Sequence, residues 1–194
     1  MYFESHAHYD DERFDDDRDE LLASFPSEGI ETVVNSSSDV ASSKASIALA
    51  EKYPFFYASV GVHPHEVGKM TDADIDILRE LSKHPKVVAI GEIGLDFYYD
   101  LSPRDSQRYW FKRQLELAEE LDMPVIIHSR EASQECFDII AQSKVRKGVI
   151  HCYSGSAPMA QDYADMGFYI GVGGSLTCKN NKRAVEGVEK LPPE

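Results

Sequence analysis

Cysteine, positive charge and long apolar runs are all scarce in this chain. Its three cysteines, Cys136, Cys152 and Cys178, are odd in number and widely spaced. That excludes a disulfide framework and fits a reducing compartment. Lys and Arg number 20 against 34 Asp and Glu, a net charge of −14. Such a surface repels polyanions at long range, which argues against a protein that coats DNA by counterion release. It does not exclude an enzyme that engages one phosphate through metal ions. No run approaches the ~20 apolar residues of a membrane span. The opening Met1-Tyr2-Phe3-Glu4-Ser5-His6 has neither the basic nor the apolar region of a signal peptide. A cytoplasmic protein without membrane contact, mostly monomeric, is expected. Linkers, low-complexity tracts and repeats are also missing, so residues 1–194 are expected to form a single domain. The hydrophobic content of 42% is enough to fill one core.

What is present is a strict alternation of β-rich runs and amphipathic stretches. The runs are Met1–His8, Glu31–Ser36, Phe55–His63, Val87–Leu95, Pro124–His128, Gly148–Cys152 and Phe168–Gly173. The helical stretches between and after them have recognisable ends. Pro26 and Gly29 close the first, about Asp16–Phe25, whose acidic start reads as a solvated helix N-terminus. Asp39 caps a helix over Val40–Lys52, and Thr71 with Asp74 makes a capping box for one running to about Lys83. Ser102-Pro103 is an N-cap and N1 pair for a long helix ending near Leu121. Helices over about Glu131–Ser143, from Ser156 to Gly167, and over about Lys182–Lys190 complete the series. Seven β-then-α units imply parallel strands with right-handed crossovers. An open doubly wound sheet and a closed TIM-type (β/α) barrel compete, and the barrel is one strand short of eight.

The polar residues decide between them. His6, His8, His63, Glu92, His128 and His151 interrupt apolar strands near their C-terminal ends, the active edge of a parallel α/β fold. Polar groups from five strands meeting at one edge fit a barrel, because the first and sixth strands of an open sheet lie too far apart to share an ion. His6 and His8, two apart on a strand, point to the same face and can reach one metal. Taken alone, such a pair is as well read as a half-buried surface feature. Glu92 stands in Ile90-Gly91-Glu92-Ile93-Gly94, where burying a carboxylate is costly without a counter-charge. A metal is one such charge and a basic neighbour the other, and no strand residue is an obvious basic partner. Two glycines beside it allow a bulge or a close backbone approach. His128 and His151, each ending a buried strand, read as metal ligands or as core histidines bonded to backbone. Four such histidines and one glutamate at one edge are improbable as separate core features. Imidazole with carboxylate suits a transition metal better than magnesium. Two ions about 3.5–4 Å apart would activate a water and clamp a leaving oxygen.

These residues fall in five blocks: Ser5-His6-Ala7-His8, Gly61-Val62-His63-Pro64-His65, Gly91-Glu92-Ile93-Gly94-Leu95-Asp96-Phe97, Ile127-His128-Ser129-Arg130 and His151-Cys152-Tyr153-Ser154-Gly155. In order and content they resemble the TatD family of metal-dependent deoxyribonucleases, amidohydrolase-like barrels. The resemblance implies that His6 and His8 hold one metal, that Glu92 bridges as the catalytic carboxylate, and that His128 and His151 hold the second. It leaves magnesium, manganese, zinc, nickel and cobalt open. It implies hydrolysis of DNA phosphodiester bonds, often from a 3′ end, with single-stranded DNA as partner. It places His63 near the substrate; by their chemistry His63 and His65 either hold a phosphate oxygen or simply cap the loop after the strand. Family members also carry a catalytic Asp after an eighth strand, and Pro192-Pro193-Glu194 falls just before that block. A truncated sequence is the expected explanation, and the Glu92, His128 and His151 half is then the fuller one.

Other roles follow from chemistry. Arg130 is a candidate phosphate contact, since its fork matches phosphate geometry, and otherwise a surface Arg pairing with a helix carboxylate. Lys179 is a second cation for phosphate. Tyr98, Tyr99 and Tyr153 are candidates for a lining on which bases stack. Cys152, beside His151 on a strand, points to the opposite face and is not expected to be a nucleophile. Two rival functions share the site: hydrolysis of another ester or amide bond, and an inactive, truncated barrel.

Overall fold

A computed structural model describes residues 1–177 and 182–191. Its seven strands form one parallel sheet in sequence order, each pairing with the next. They are β1 Tyr2–Ala7, β2 Ile30–Asn35, β3 Phe56–Val60, β4 Val87–Asp96, β5 Val125–Arg130, β6 Gly148–Ile150 and β7 Phe168–Ile170. The helices are α1 Arg18–Ser24, α2 Val40–Lys52, α3 Asp72–Leu81, α4 Arg104–Leu121, α5 Ser133–Gln142, α6 Ala157–Asp165 and α7 Lys182–Lys190. Among the described residues no helix is long and apolar enough to cross a membrane.

Local chemistry sets most of these boundaries. Asp39 accepts from the Ser42 N–H and Ser42 Oγ accepts from the Asp39 N–H, the reciprocal box that starts α2. Ser156 caps α6 by accepting from the Met159 N–H. At α4 the expected cap fails. Pro103 takes the N-cap position, while Ser102 Oγ is drawn away to donate to the His65 carbonyl and accept from the Gly68 N–H. Ser102 therefore ties the loop after β3 to the start of α4. The strand runs also overreach. β3 stops at Val60 and β6 at Ile150, so His63 and His151 lie just beyond their strands.

Two apolar layers settle the architecture. Leu22 of α1, Ile47 of α2, Leu78 of α3, Phe111 of α4, Ile140 of α5 and Tyr163 of α6 all pack against one sheet face, with Val33, Ile90, Ile127 and Ile150. The neighbouring strand residues Val34, Ala89, Ile126 and Val149 form a separate cluster on the other face, which no helix joins among the described residues. A doubly wound sheet would carry helices on both faces. With helices on one face only, the sheet curls around the other. The His6 and His151 rings, from β1 and the end of β6, stack with centroids 3.8 Å apart. In a flat sheet five strand spacings, about 24 Å, would part them. The curl encloses a space of about 980 Å³ lined by Phe3, Val34, Ala89, Ile126, Val149 and Tyr169 among others. This is the TIM-type barrel with seven strands present.

Candidate metal centre

The inner face of the curl carries the polar cluster because of strand parity. His128 lies two residues past Ile126 and His151 two past Val149, so each shares the inner face with its apolar neighbour. Glu92 reaches that face through a bulge. Ile90 pairs with Val125 but Ile93 with Ile127, so β4 spends three residues where β5 spends two. Both glycines serve this junction. A Cβ on Gly91 would sit 2.7 Å from the Ile126 Cβ. Gly94, at φ +147°, would place one 1.9 Å from the His128 carbonyl oxygen. No other residue lets β4 and β5 approach this closely.

Glu92, 2% exposed, is the hub. Its Oε2 lies 2.7 Å from His6 Nε2 and 3.3 Å from His8 Nε2. Its Oε1 lies 2.6 Å from His151 Nε2, 2.8 Å from His128 Nδ1 and 3.6 Å from His63 Nε2. One carboxylate oxygen thus faces each imidazole set. The donor atoms of His6, His8 and Glu92 fall within 4.8 Å of one another, as do those of His63, Glu92 and His128. Burial opposes ionisation of Glu92, but His151, His128 and His6 outweigh it and hold the carboxyl well below its usual range.

Hydrogen bonds on the far side of each ring fix which nitrogen faces Glu92. His8 Nδ1 lies 2.8 Å from the Ser36 carbonyl, which can only accept, so Nε2 is the free nitrogen. His128 Nε2 lies 3.1 Å from Asp96 Oδ2, leaving Nδ1 toward Glu92 and, at 3.1 Å, toward His151 Nε2. His63 differs. Its Nδ1 accepts from the His65 N–H, so the neutral ring carries its proton on Nε2, the atom facing Glu92. A donor in that position suits a substrate oxygen better than a metal. Burial lowers the His63 and His151 pKa values despite the attraction of Glu92. At His8 and His128 burial pulls the same way, but carboxylate contacts prevail and the values rise.

Asp96 received no role from the sequence. It is fully buried, and Oδ2 meets His65 Nε2 at 2.8 Å as well as His128. Oδ1 accepts from the Tyr98 and Tyr99 N–H groups at 3.0 and 2.9 Å. Burial raises its pKa, but the Tyr99 N–H, His65 and His128 outweigh that and lower it. Its sequence signal is the same as that of Glu92, an acid at the end of an apolar strand. His65 is therefore held by Asp96 beside the cluster, its ring 4.3 Å from that of His63.

The remaining candidates divide. Arg130, at the end of β5, pairs in register with Asp96 and stacks on Tyr98 and Tyr99. The helix carboxylate offered as its alternative partner is not there among the described residues. Tyr153 is no lining residue: its ring is buried and its hydroxyl donates to the Ser156 carbonyl. Cys152 is exposed. Burial pushes the Cys136 thiol up to about 12. Lys179 and Cys178 lie outside the described residues.

Comparison with known proteins shows the family and the fold. A family model described as TatD related DNase matches residues 3–194. A Bacillus subtilis protein named as an uncharacterized metal-dependent hydrolase, YabD, is 38% identical over 99% of this chain and 76% of its own length. A Salmonella typhimurium protein named 3′-5′ ssDNA/RNA exonuclease TatD is 32% identical over 93% of this chain and 69% of its own. The crystal structure of YjjV, a TatD homologue from Escherichia coli, superposes with a TM-score of 0.91 at 31% identity, over 98% of this chain and 75% of that one. The chain belongs to the TatD-related DNase family.

Proposed function

We propose that this protein is a two-metal hydrolase that removes nucleotides from the 3′ end of single-stranded DNA. The observation that carries the reading is the divided carboxylate of Glu92: His6 and His8 converge on one oxygen, His128 and His151 on the other. A buried carboxylate between two imidazole pairs fits two divalent cations, because each pair offers ring nitrogens that a metal can take in place of a proton and the shared anion offsets part of the charge of the ions. In this reading His6, His8 and Glu92 hold one ion, and Glu92, His128 and His151 the other. When bound, such ions supply Lewis-acid activation of water and neutralise charge on phosphate oxygens.

The chain's own residues do the rest. Asp96 and the Ser36 carbonyl orient His128 and His8 from behind. His63 presents Nε2–H toward the centre, where a phosphate oxygen can accept it. Arg130 presents its fork to phosphate at the rim. The relative named as a 3′-5′ ssDNA/RNA exonuclease supports the choice of bond and end.

The test follows a 5′-labelled single-stranded oligonucleotide with metal-depleted protein and with protein reloaded with manganese. Only the reloaded protein should shorten the strand progressively from its 3′ end, and Glu92→Gln should bring cleavage to background. Cleavage by Glu92→Ala at the unaltered rate would overturn the reading. So would hydrolysis of carboxylic esters in place of DNA.

A further inference from the structure

Tyr98 and Tyr99 are exposed aromatics that the packing of the fold does not explain. These residues are 59% and 52% exposed although they sit on the active edge, just past the end of β4. The rings meet edge to face with centroids 4.9 Å apart. They are not loosely held. Both backbone N–H groups are bonded to Asp96 Oδ1, and the other oxygen of that carboxylate holds His65 and His128. The Tyr99 ring lies 5.5 Å from that of His65, one imidazole away from the Glu92 cluster. The aromatic pair is thus fixed to the same carboxylate that positions a candidate ligand.

Arg130 completes the patch. Its guanidinium carbon lies 4.2 Å from the Tyr98 ring centre and 4.7 Å from that of Tyr99. The nearby Arg104 and Arg108 are each tied to acids. Among the described residues no acid or carbonyl holds the Arg130 guanidinium, although the chain carries 34 acids. A cation without an anion, resting on two exposed rings beside a hydrolytic centre, is matched to a ligand with a planar ring and a negative charge.

We propose that Tyr98, Tyr99 and Arg130 form a nucleobase subsite. One ring takes the face of a base flanking the bond that is cut, the other, set nearly perpendicular, meets that base at its edge, and Arg130 takes the adjoining phosphate. This rests on the reading of the centre as a nuclease and specifies what the rim recognises. Every base has a π-face, so the subsite reads the presence of a base, not its identity. It favours single strands, because a base inside a duplex is stacked on both faces and held in its pair, and must leave both to reach the ring. Stacking on a preorganised aromatic is worth about tenfold in affinity per base.

The test compares kcat/KM, and KM and kcat separately, for a five-nucleotide thymidine oligomer and for an abasic deoxyribose-phosphate oligomer of the same length. The two carry the same phosphates and differ in the bases. The unaltered protein should favour the base-bearing oligomer by about tenfold, chiefly through KM. The double substitution Tyr98→Ala, Tyr99→Ala should bring that ratio close to one. Tyr98→Phe with Tyr99→Phe should keep it, since the ring faces and the backbone bonds to Asp96 remain. An undiminished ratio in the alanine variant overturns the subsite and leaves the nuclease reading standing. Equal cleavage of both oligomers by the unaltered protein does the same. Cleavage of neither, with turnover of other esters, overturns both. Both rings are largely exposed, and an unchanged melting temperature separates a lost subsite from a lost fold.

Discussion

The carboxylate of Asp96 presses on His128 from the side away from Glu92, and each of its oxygens is committed. Replacing it with asparagine removes the charge and turns one acceptor into a donor. Partners of this kind set ring orientation and basicity, and their loss costs about 10–100-fold in metal affinity. A manganese titration of Asp96→Asn should show a loss in that range, and unchanged affinity would show that His128 is oriented by other means. The contrast with Glu92 explains what could be read at this scale. His6 and His8 share a face by spacing alone, and Glu92 was conspicuous between two glycines. Asp96 sits at a strand end where an acid is unremarkable until its partners from β5 and the loop after β3 are known. Tyr153 was misread for the converse reason. Its place beside His151 in sequence says nothing of the Ser156 carbonyl that its hydroxyl meets after the chain turns inward.

At the scale of the element, the β4–β5 junction is where local sequence and function coincide. Any side chain at Gly94 meets the backbone of His128, and the positive φ adds strain. Gly94→Ala should therefore lower stability by more than about 2 kcal/mol, read by urea denaturation, and displace His128 as well. A variant of native stability would show that the junction relaxes freely. Helix α6 offers the opposite case. The Tyr163 hydroxyl is buried without a hydrogen-bond partner among the described residues. Tyr163→Phe should raise stability by about 1 kcal/mol at neutral pH, because an unpaired buried hydroxyl is removed at little change in shape. Burial raises the Tyr163 pKa, so the fold favours the neutral phenol. The stability this contributes is complete below the ordinary tyrosine value, about 10, and is lost as pH rises beyond it. The phenylalanine variant should show a shallower alkaline loss. Caps and breakers made the helices legible, and α2 occupies Val40–Lys52 as its Asp39 and Pro54 indicate. Strand ends were less so, since β-branched runs continue into loops whose hydrogen bonds go elsewhere. Ser102 was an apt cap in sequence and was claimed by the loop after β3 in space.

Across the whole molecule, curvature brings distant segments to one carboxylate. Strand alternation alone left two architectures open. The position of the polar residues favoured the barrel, and the restriction of every packed helix to one sheet face supplies the physical reason. The net charge of −14 sets a second property at this scale. With acids outnumbering bases 34 to 20, a bound strand is expected to be held by few phosphate contacts. Oligonucleotide binding should therefore fall only gently with salt, with a log–log slope of roughly −1.4 or shallower, as for two phosphates on a single strand. A slope several times steeper would mean a cationic track that the described residues do not contain. The most direct test of the central claim is an anomalous-scattering map from crystals of the protein soaked in manganese. Two peaks should flank Glu92, one beside His6 and His8 and one beside His128 and His151, about 3.5–4 Å apart. A map with no manganese in contact with either oxygen of Glu92 would contradict the account.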